Sequence, residues 1–363
     1  MADFIYTQPV KIFFGAGEFE KLPEILKTLS VSRCVLTCGK HFAENAAELR
    51  DRVPEICAVF SEVEPNPQLC GVEETVKLAR QFNADAVIGI GGGSSIDTAK
   101  FAAACVCGEE TAEYYYNTAA FPEKRLEIIA VPTTAGTGSE VTQVSVISHG
   151  SEKKTVNNPA FMPTAAIVDP VMTYSVPPRT TMNTGLDAMA HALEGYWSKN
   201  HQPICDLYAI EAIRLILENL ETAFKDGANE QARSNMSMAS LLAGLAFAQP
   251  KTAASHACSY PLSADYHLPH GEACAFTLDS LVRINADERL ELLCRRVGLR
   301  DTAELAEKIA EFKALGGLRS RLSELENVDL DKLAEDCAAH PLMNNNPVKM
   351  DKAAVLKMFE GLK

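Results

Sequence analysis

Asp187-Ala188-Met189-Ala190-His191 sets a carboxylate and an imidazole four residues apart, which puts both on one face of a helix. An isolated pair of this kind is ordinarily a surface contact or a capped core histidine. Here His256, His267 and His270 follow in two short segments, so half of the chain's eight histidines gather in this group. One Asp with three imidazoles is a borderline-hard N/O donor set suited to Fe²⁺ or Zn²⁺. His270, between Pro269 and Gly271, is expected on a rigid turn, which suits a ligand that must not wander.

A second chemistry-bearing segment is glycine-rich. Gly89-Ile90-Gly91-Gly92-Gly93-Ser94-Ser95-Ile96-Asp97-Thr98-Ala99-Lys100 follows an apolar run and reads into a helix. Successive glycines let the backbone adopt φ > 0 and approach a bulky anion, and a helix N-terminus favours phosphate. Ser94 with Asp97 three residues on predicts a capping box for that helix. The loop departs from GxGxxG, because Ser94 stands at the last glycine, and it lacks the Gly-Lys-Ser/Thr of a Walker A loop. A turn without ligand would explain the glycines alone. The segment Pro132-Thr133-Thr134-Ala135-Gly136-Thr137-Gly138-Ser139-Glu140 offers a second hydroxyl- and glycine-bearing loop after another apolar run. Two such loops at the carboxyl ends of neighbouring parallel strands predict a dinucleotide site.

The elements that must position these residues differ between the halves of the chain. Before about residue 180, apolar β-branched runs at Ser32–Thr37, Ala84–Ile90, Glu127–Pro132 and Ala165–Asp169 alternate with helical patterns such as Gly71–Asn83. That grammar predicts βαβ units and a Rossmann-like parallel sheet covered by helices. After Pro177-Pro178, helical periodicity predominates: Thr184–Trp197, Pro203–Phe224, Asn229–Phe247, Asp287–Val297, Thr302–Leu315, Asp329–Ala338 and Asp351–Gly361. The expected architecture is an α/β domain over residues 1–179, then an all-α domain over 180–363, with the site in the cleft between them.

Composition narrows the class further. At 363 residues and 47% apolar, the chain can bury two domain cores. With 34 Lys+Arg against 48 Asp+Glu, a net charge of −14 argues against nucleic acid or an anionic membrane as partner. Eleven cysteines without a CxxC read as reduced thiols of a cytoplasmic protein. Met1–Pro9 carries Asp3 and no apolar h-region, and no run is long enough to span a bilayer.

Taken in order, these motifs resemble the iron-containing (group III) alcohol dehydrogenase family over essentially the whole chain. The likeness runs through Phe14-Gly15-Ala16-Gly17, Glu64-Pro65-Asn66-Pro67, the two loops above, Asp169-Pro170, Gly185-Leu186-Asp187-Ala188-Met189-Ala190-His191-Ala192-Leu193-Glu194 and Pro269-His270-Gly271. The resemblance implies Asp187, His191, His256 and His270 as ligands of Fe²⁺, with Zn²⁺ the second choice. It implies a diphosphate cradle at Gly91, Gly92, Gly93, Ser94 and Ser95 with Asp97 nearby, and Thr133, Thr134, Thr137 and Lys154 along the ribose and nicotinamide. His267 becomes an active-site neighbour instead of a ligand, and a homodimer is implied.

Two departures are visible. Many members carry a histidine one turn after the third ligand, near the proton route; here that place is Tyr260. NAD-specific members often end the first nucleotide strand with Thr-Asp, where this chain reads Thr37-Cys38-Gly39-Lys40. A missing carboxylate at Cys38 and Gly39 and an added Lys40 would tolerate a 2′-phosphate, so NADPH is expected to serve beside NADH. The implied activity is NAD(P)-linked reduction of a small aldehyde, with Tyr260 or His267 moving the proton. The segment Lys251–Ser263 is similar to a branch that handles aldehydes bearing a phosphonate or sulfonate, with Lys251 and Ser255 as anion donors. The competing readings are a generic short-chain alcohol or diol dehydrogenase of the zinc-dependent, glycerol-dehydrogenase-like type, and a non-catalytic nucleotide-binding protein.

Overall fold

A computed structural model describes residues 3–150 and 152–363; the first two residues of the segment read above for a leader lie outside them. The chain divides into two compact units. One holds Thr7–Thr134 and Ser139–Thr173; the other holds Tyr174–Lys363, the residues through Tyr6, and the loop Ala135–Gly138.

The first unit is built on strands β1 (Lys11–Phe14), β2 (Cys34–Gly39), β3 (Ile56–Val63), β4 (Ala86–Gly91), β5 (Glu127–Pro132) and β8 (Ala165–Val168). They form a six-stranded sheet in the order β1-β8-β5-β4-β2-β3, with every pairing parallel. Period-two alternation splits the apolar residues between the faces. Leu36, Ile88 and Ile129 pack with α1 (Leu22–Thr28), while Val35, Val87 and Ile128 pack with Ala99 and Ala103. Helices α2 (Ala43–Arg52), α3 (Leu69–Gln81), α4 (Gly93–Cys105) and α5 (Ala112–Thr118) complete the unit with the antiparallel hairpin β6 (Val144–His149) and β7 (Glu152–Asn157).

The α/β expectation holds, and the sheet has two more strands than the apolar runs indicated. β1 is short and half exposed, and β3 buries only Ile56, Ala58 and Val63, so neither shows the continuous apolar signature of a central strand. The capping box is a correction. Helix α4 begins at Gly93, its N-cap is Gly92, and no side chain caps it.

The second unit is helical: α6 (Pro178–Trp197), α7 (Pro203–Lys225), α8 (Glu230–Phe247), α9 (Ala254–Tyr266), α10 (His270–Ile284), α11 (Glu288–Arg296), α12 (Thr302–Leu315), α13 (Leu330–Ala339) and α14 (Lys352–Glu360). Asn229, Asp287, Asp301, Asp329 and Asp351 cap α8 and α11 to α14 through their side chains. Helix α6 is the axis of the core, buried continuously from Gly185 to Trp197. Helices α9 and α10 escaped the periodicity reading because Pro261 interrupts α9 and both are buried on most sides. His270 is the first residue of α10, not a turn residue, with Pro269 as N-cap. Among the described residues, no helix is long and apolar enough to cross a membrane. All eleven cysteines are free.

Candidate metal centre and nucleotide loop

Three helices bring the donors together within the helical unit. Asp187 and His191 lie one turn apart on α6, His256 enters from the start of α9, and His270 from the start of α10. His191 Nε2 is 3.0 Å from His256 Nε2, and Asp187 Oδ1 is 3.8 Å from Nε2 of both His256 and His270. Asp187, His191 and His256 are buried, whereas the His270 side chain is 39% exposed, so the cluster opens on the His270 side.

The partners of the imidazoles settle their tautomers. His191 Nδ1 lies 3.2 Å from the Gly136 carbonyl, which can only accept, so Nδ1 carries the proton and Nε2 the lone pair. His256 Nδ1 donates to Glu194 Oε2 at 2.5 Å, which leaves the lone pair on Nε2 when the ring is neutral. Two lone pairs 3.0 Å apart repel unless a proton or a metal cation lies between them, and the adjacent Asp187 carboxylate offsets a divalent charge. The residues present therefore fit a divalent metal.

Burial, then the charges of His256 and His270, pushes His191 well below the ordinary histidine range. Burial also acts on His256, but Cys274 and Glu194 outweigh it and hold that imidazole high. Phe247 stacks on His191, ring centroids 4.2 Å apart.

Glu194 is the residue that motif reading passed over. Fully buried, it also accepts from Ser255 N at 2.6 Å through Oε1, bracing the first turn of α9 against α6. Its signal was present, because Asp187, His191 and Glu194 stand at i, i+4 and i+7 on one helix face. Cys274 was also missed; it follows His270 by four residues, and its donor atom groups with those of Asp187, His256 and His270 within 4.8 Å. Gly136 has a steric requirement: a Cβ there would lie 2.7 Å from Thr184 Cβ.

The remaining helical-unit candidates take different places. Tyr260 stacks on His340 at 4.4 Å and 22°. Burial and the neighbouring His256 lower the His340 pKa. His267 is exposed at the C-cap of α9 in the left-handed region, φ 54°. Lys251 turns its ammonium onto the Ala248 carbonyl at 3.0 Å. Ser255 is a correction: it is 0% exposed and donates to the Cys274 carbonyl at 2.7 Å, so its hydroxyl braces α9 against α10 and is not presented to a substrate. Thr137 lies in the loop that holds Gly136.

In the sheet unit, β4 and β5 are parallel neighbours, and the two loops leave their carboxyl ends side by side. Gly91, at φ 150°, could not take a side chain without striking Ser95. Gly91 to Ser94 are half-buried, Ser95 is buried, no side chain caps the start of α4, and Ser95 N donates to the Gly92 carbonyl at 3.1 Å. This is a cradle suited to a diphosphate. A Cβ on Gly92 would lie 3.3 Å from the Thr134 hydroxyl, and Thr133 N donates to the Gly91 carbonyl at 2.9 Å.

Asp97 is a correction to the cofactor set. Its Oδ1 accepts from Ser139 at 2.6 Å and its Oδ2 from Val146 N at 2.8 Å, so the carboxylate clamps the second loop to β6. Lys100, fully buried, donates to Ser139 at 2.7 Å and to the Val144 carbonyl at 2.9 Å in the same clamp. Lys154, on β7, donates to the Tyr116 carbonyl at 2.8 Å and lies over that ring. Cys38 is buried, and Gly39 ends β2 opposite Val63. Lys40 pairs with Glu62 at the end of β3, 3.1 Å away.

The family pattern "Iron-containing alcohol dehydrogenase" matches residues 9–170, and that of "Fe-containing alcohol dehydrogenase family, C-terminal" matches 181–362. The chain is similar to the crystal structure of sulfoacetaldehyde reductase from Bifidobacterium kashiwanohense in complex with NAD⁺, with TM-score 0.95 and 38% identity over 100% of this chain and 99% of that one. It is 36% identical to long-chain-alcohol dehydrogenase 1 of Geobacillus thermodenitrificans, over 84% of this chain and 81% of that protein. With sulfoacetaldehyde reductase of Bilophila wadsworthia it shares 28% identity, over 99% and 98% of the two chains. Matched along both of its halves, and as an enzyme of the alcohol dehydrogenase class, the chain belongs to the iron-containing alcohol dehydrogenase family.

Proposed function

We propose that the protein is a divalent-metal-dependent, nicotinamide-linked reductase of a small aldehyde, working reversibly on the corresponding alcohol. The observation that carries this is the pair of facing Nε2 atoms of His191 and His256, held 3.0 Å apart beside Asp187 with both Nδ1 positions committed elsewhere. Asp187, His191, His256 and His270 would hold Fe²⁺, or Zn²⁺ in its place. When bound, the cation supplies Lewis acidity toward a carbonyl oxygen and the nicotinamide supplies hydride.

The chain's own residues do the rest. Glu194 and the Gly136 carbonyl keep two imidazoles in the tautomer that presents Nε2. Backbone N–H groups of Gly91–Ser95 at the start of α4 bind the diphosphate, and Thr133, Thr134 and Thr137 line the rest of the dinucleotide. Asp97 and Lys100 hold the threonine loop in place instead of meeting the cofactor. The product alcohol needs one proton on its oxygen, which Tyr260, stacked on His340, or the exposed His267 delivers.

The Lys40–Glu62 pair moves the cofactor reading toward NADH. Glu62 restores at the end of β3 the carboxylate that β2 lacks, and it offsets the charge of Lys40. Residues 1–179 serve the nucleotide and 180–363 the metal, although the loop Ala135–Gly138, which holds Thr137, clusters with the helices. A homodimer in the cytoplasm, without nucleic-acid or membrane partners, is supported by the family likeness, the net charge of −14 and the free cysteines.

The substrate we favour is a two-carbon aldehyde bearing a sulfonate, on the likeness to two sulfoacetaldehyde reductases. A second reading, a plain short-chain alcohol or diol, is favoured by the commitment of Lys251 and Ser255 to backbone carbonyls. Loss of reduced-cofactor absorbance should be followed with sulfoacetaldehyde, phosphonoacetaldehyde, acetaldehyde, butyraldehyde and succinic semialdehyde, before and after chelation. Full turnover by the metal-stripped protein refutes the metal centre. Neutral aldehydes that match the anionic ones refute the sulfonate reading and leave the second.

A further inference from the structure

Cys274 is the one donor at the metal centre to which neither motif nor mechanism gives a task. It follows His270 by one turn of α10, so thiol and imidazole share a helix face. Cys274 Sγ is 3.8 Å from His270 Nε2. Two ligands of one ion, at about 2.3 Å for sulfur and 2.1 Å for nitrogen, lie about 3.1–3.8 Å apart at ligand–metal–ligand angles of about 90–120°. The observed separation is therefore that of two atoms able to share a metal. The donor atoms of Asp187, His256, His270 and Cys274 all fall within 4.8 Å of one another.

The thiol is also held in place. Its side chain is 0% exposed, and the Cys274 carbonyl accepts from Ser255, whose own N–H donates to Glu194. The residue that fixes the His256 tautomer thus also ties the Cys274 backbone to the start of α9. The sulfur faces the imidazoles, 3.8 Å from His270 Nε2.

We propose that Cys274 supplies a sulfur ligand to the metal centre beside Asp187, His191, His256 and His270, biasing the site toward zinc and cobalt over iron. The inference rests on the metal-centre reading above and adds a donor to it. As the sulfur–metal bond forms, the S–H bond breaks and its proton leaves to solvent. A thiolate in an otherwise N/O set favours borderline-soft ions, which the Asp and His ligands alone do not do.

The test uses the full chain, stripped of metal and reloaded with Co²⁺. Visible d–d bands report cobalt in a protein site, and a near-ultraviolet sulfur-to-cobalt charge-transfer band reports thiolate bound to it. Wild type is expected to show both, whereas Cys274→Ser and Cys274→Ala keep the d–d bands, which also shows that they fold, and lose the charge-transfer band. X-ray absorption of the zinc-loaded wild type should show a sulfur shell near about 2.3 Å beyond the nitrogen and oxygen shell. In Zn²⁺/Fe²⁺ competition, Cys274→Ser should lose at least about tenfold in zinc preference, the low end of what removing a supporting group costs a metal site. Bound cobalt without the charge-transfer band, and a zinc shell of nitrogen and oxygen alone, would overturn the sulfur ligand and leave the metal centre standing. A band that survives in Cys274→Ser belongs to another cysteine and also overturns it. Failure of the wild type to bind either ion overturns both readings.

Discussion

Replacing Glu194 by Gln probes how a single buried hydrogen bond sets a metal site. The substitution keeps size and shape, and its amide oxygen can still accept from Ser255 N. The opposite edge becomes NH₂, which meets the Nδ1–H of His256 donor to donor across 2.5 Å. His256 escapes by moving its proton to Nε2, the atom 3.0 Å from His191 Nε2, so the ring that presented a lone pair presents a hydrogen. Loss of such an orienting carboxylate costs a metal site about 10–100-fold in affinity, or roughly 1.4–2.7 kcal/mol. The assay is competition with a calibrated chelator, read against far-ultraviolet circular dichroism. Activity of the variant should fall with occupancy and recover when metal is added in excess. An affinity within about twofold of wild type would refute the tautomer argument.

Three further outcomes follow from particular contacts. Burial lowers the Lys100 pKa to about 8 from an ordinary 10.5, so between those values the unfolded chain binds more protons and stability should rise with pH, by about 1–3 kcal/mol. Below pH 8 both states are protonated and the cost is constant; Lys100→Met should abolish the alkaline rise in denaturant titrations, and an unchanged slope would refute the assignment. Gly136→Ala puts a Cβ 2.7 Å from Thr184 and must shift the carbonyl that holds His191, so a loss of about 1–3 kcal/mol in stability together with weaker metal binding is expected. Glu62→Gln should free Lys40 and lower the Michaelis constant for NADPH, while Lys40→Ala raises it; a wild-type enzyme equally efficient with both cofactors, and insensitive to both changes, would show that the pair does not face the adenosine ribose.

How much was legible in the chain can be argued residue by residue. The all-parallel sheet could be read because β4, β5 and β8 are buried on both faces and so are written as unbroken apolar runs. The Asp187/His191 pair could be read because four residues is one helical turn, and α6 needs no partner to put them side by side. Helices α9 and α10 could not be read, since Pro261 interrupts one and burial on most sides erases the polar face that marks an amphipathic helix.

Local spacing stops at the edge of each element. That His256 and His270 reach the α6 pair, that Glu194 serves His256, and that Ser255 and Asp97 turn inward are facts of packing between segments far apart in the chain. Lys40 shows the same limit. Its charge was evident in the chain, but the carboxylate opposite it arrives only when β3 lies down beside β2. Residue types and periods thus determine which elements form and which donors they carry. Which donor atoms meet, and which are already spent on a neighbour, depends on how close-packed surfaces dock, because a hydrogen bond is made or lost within an ångström that no one-dimensional pattern encodes.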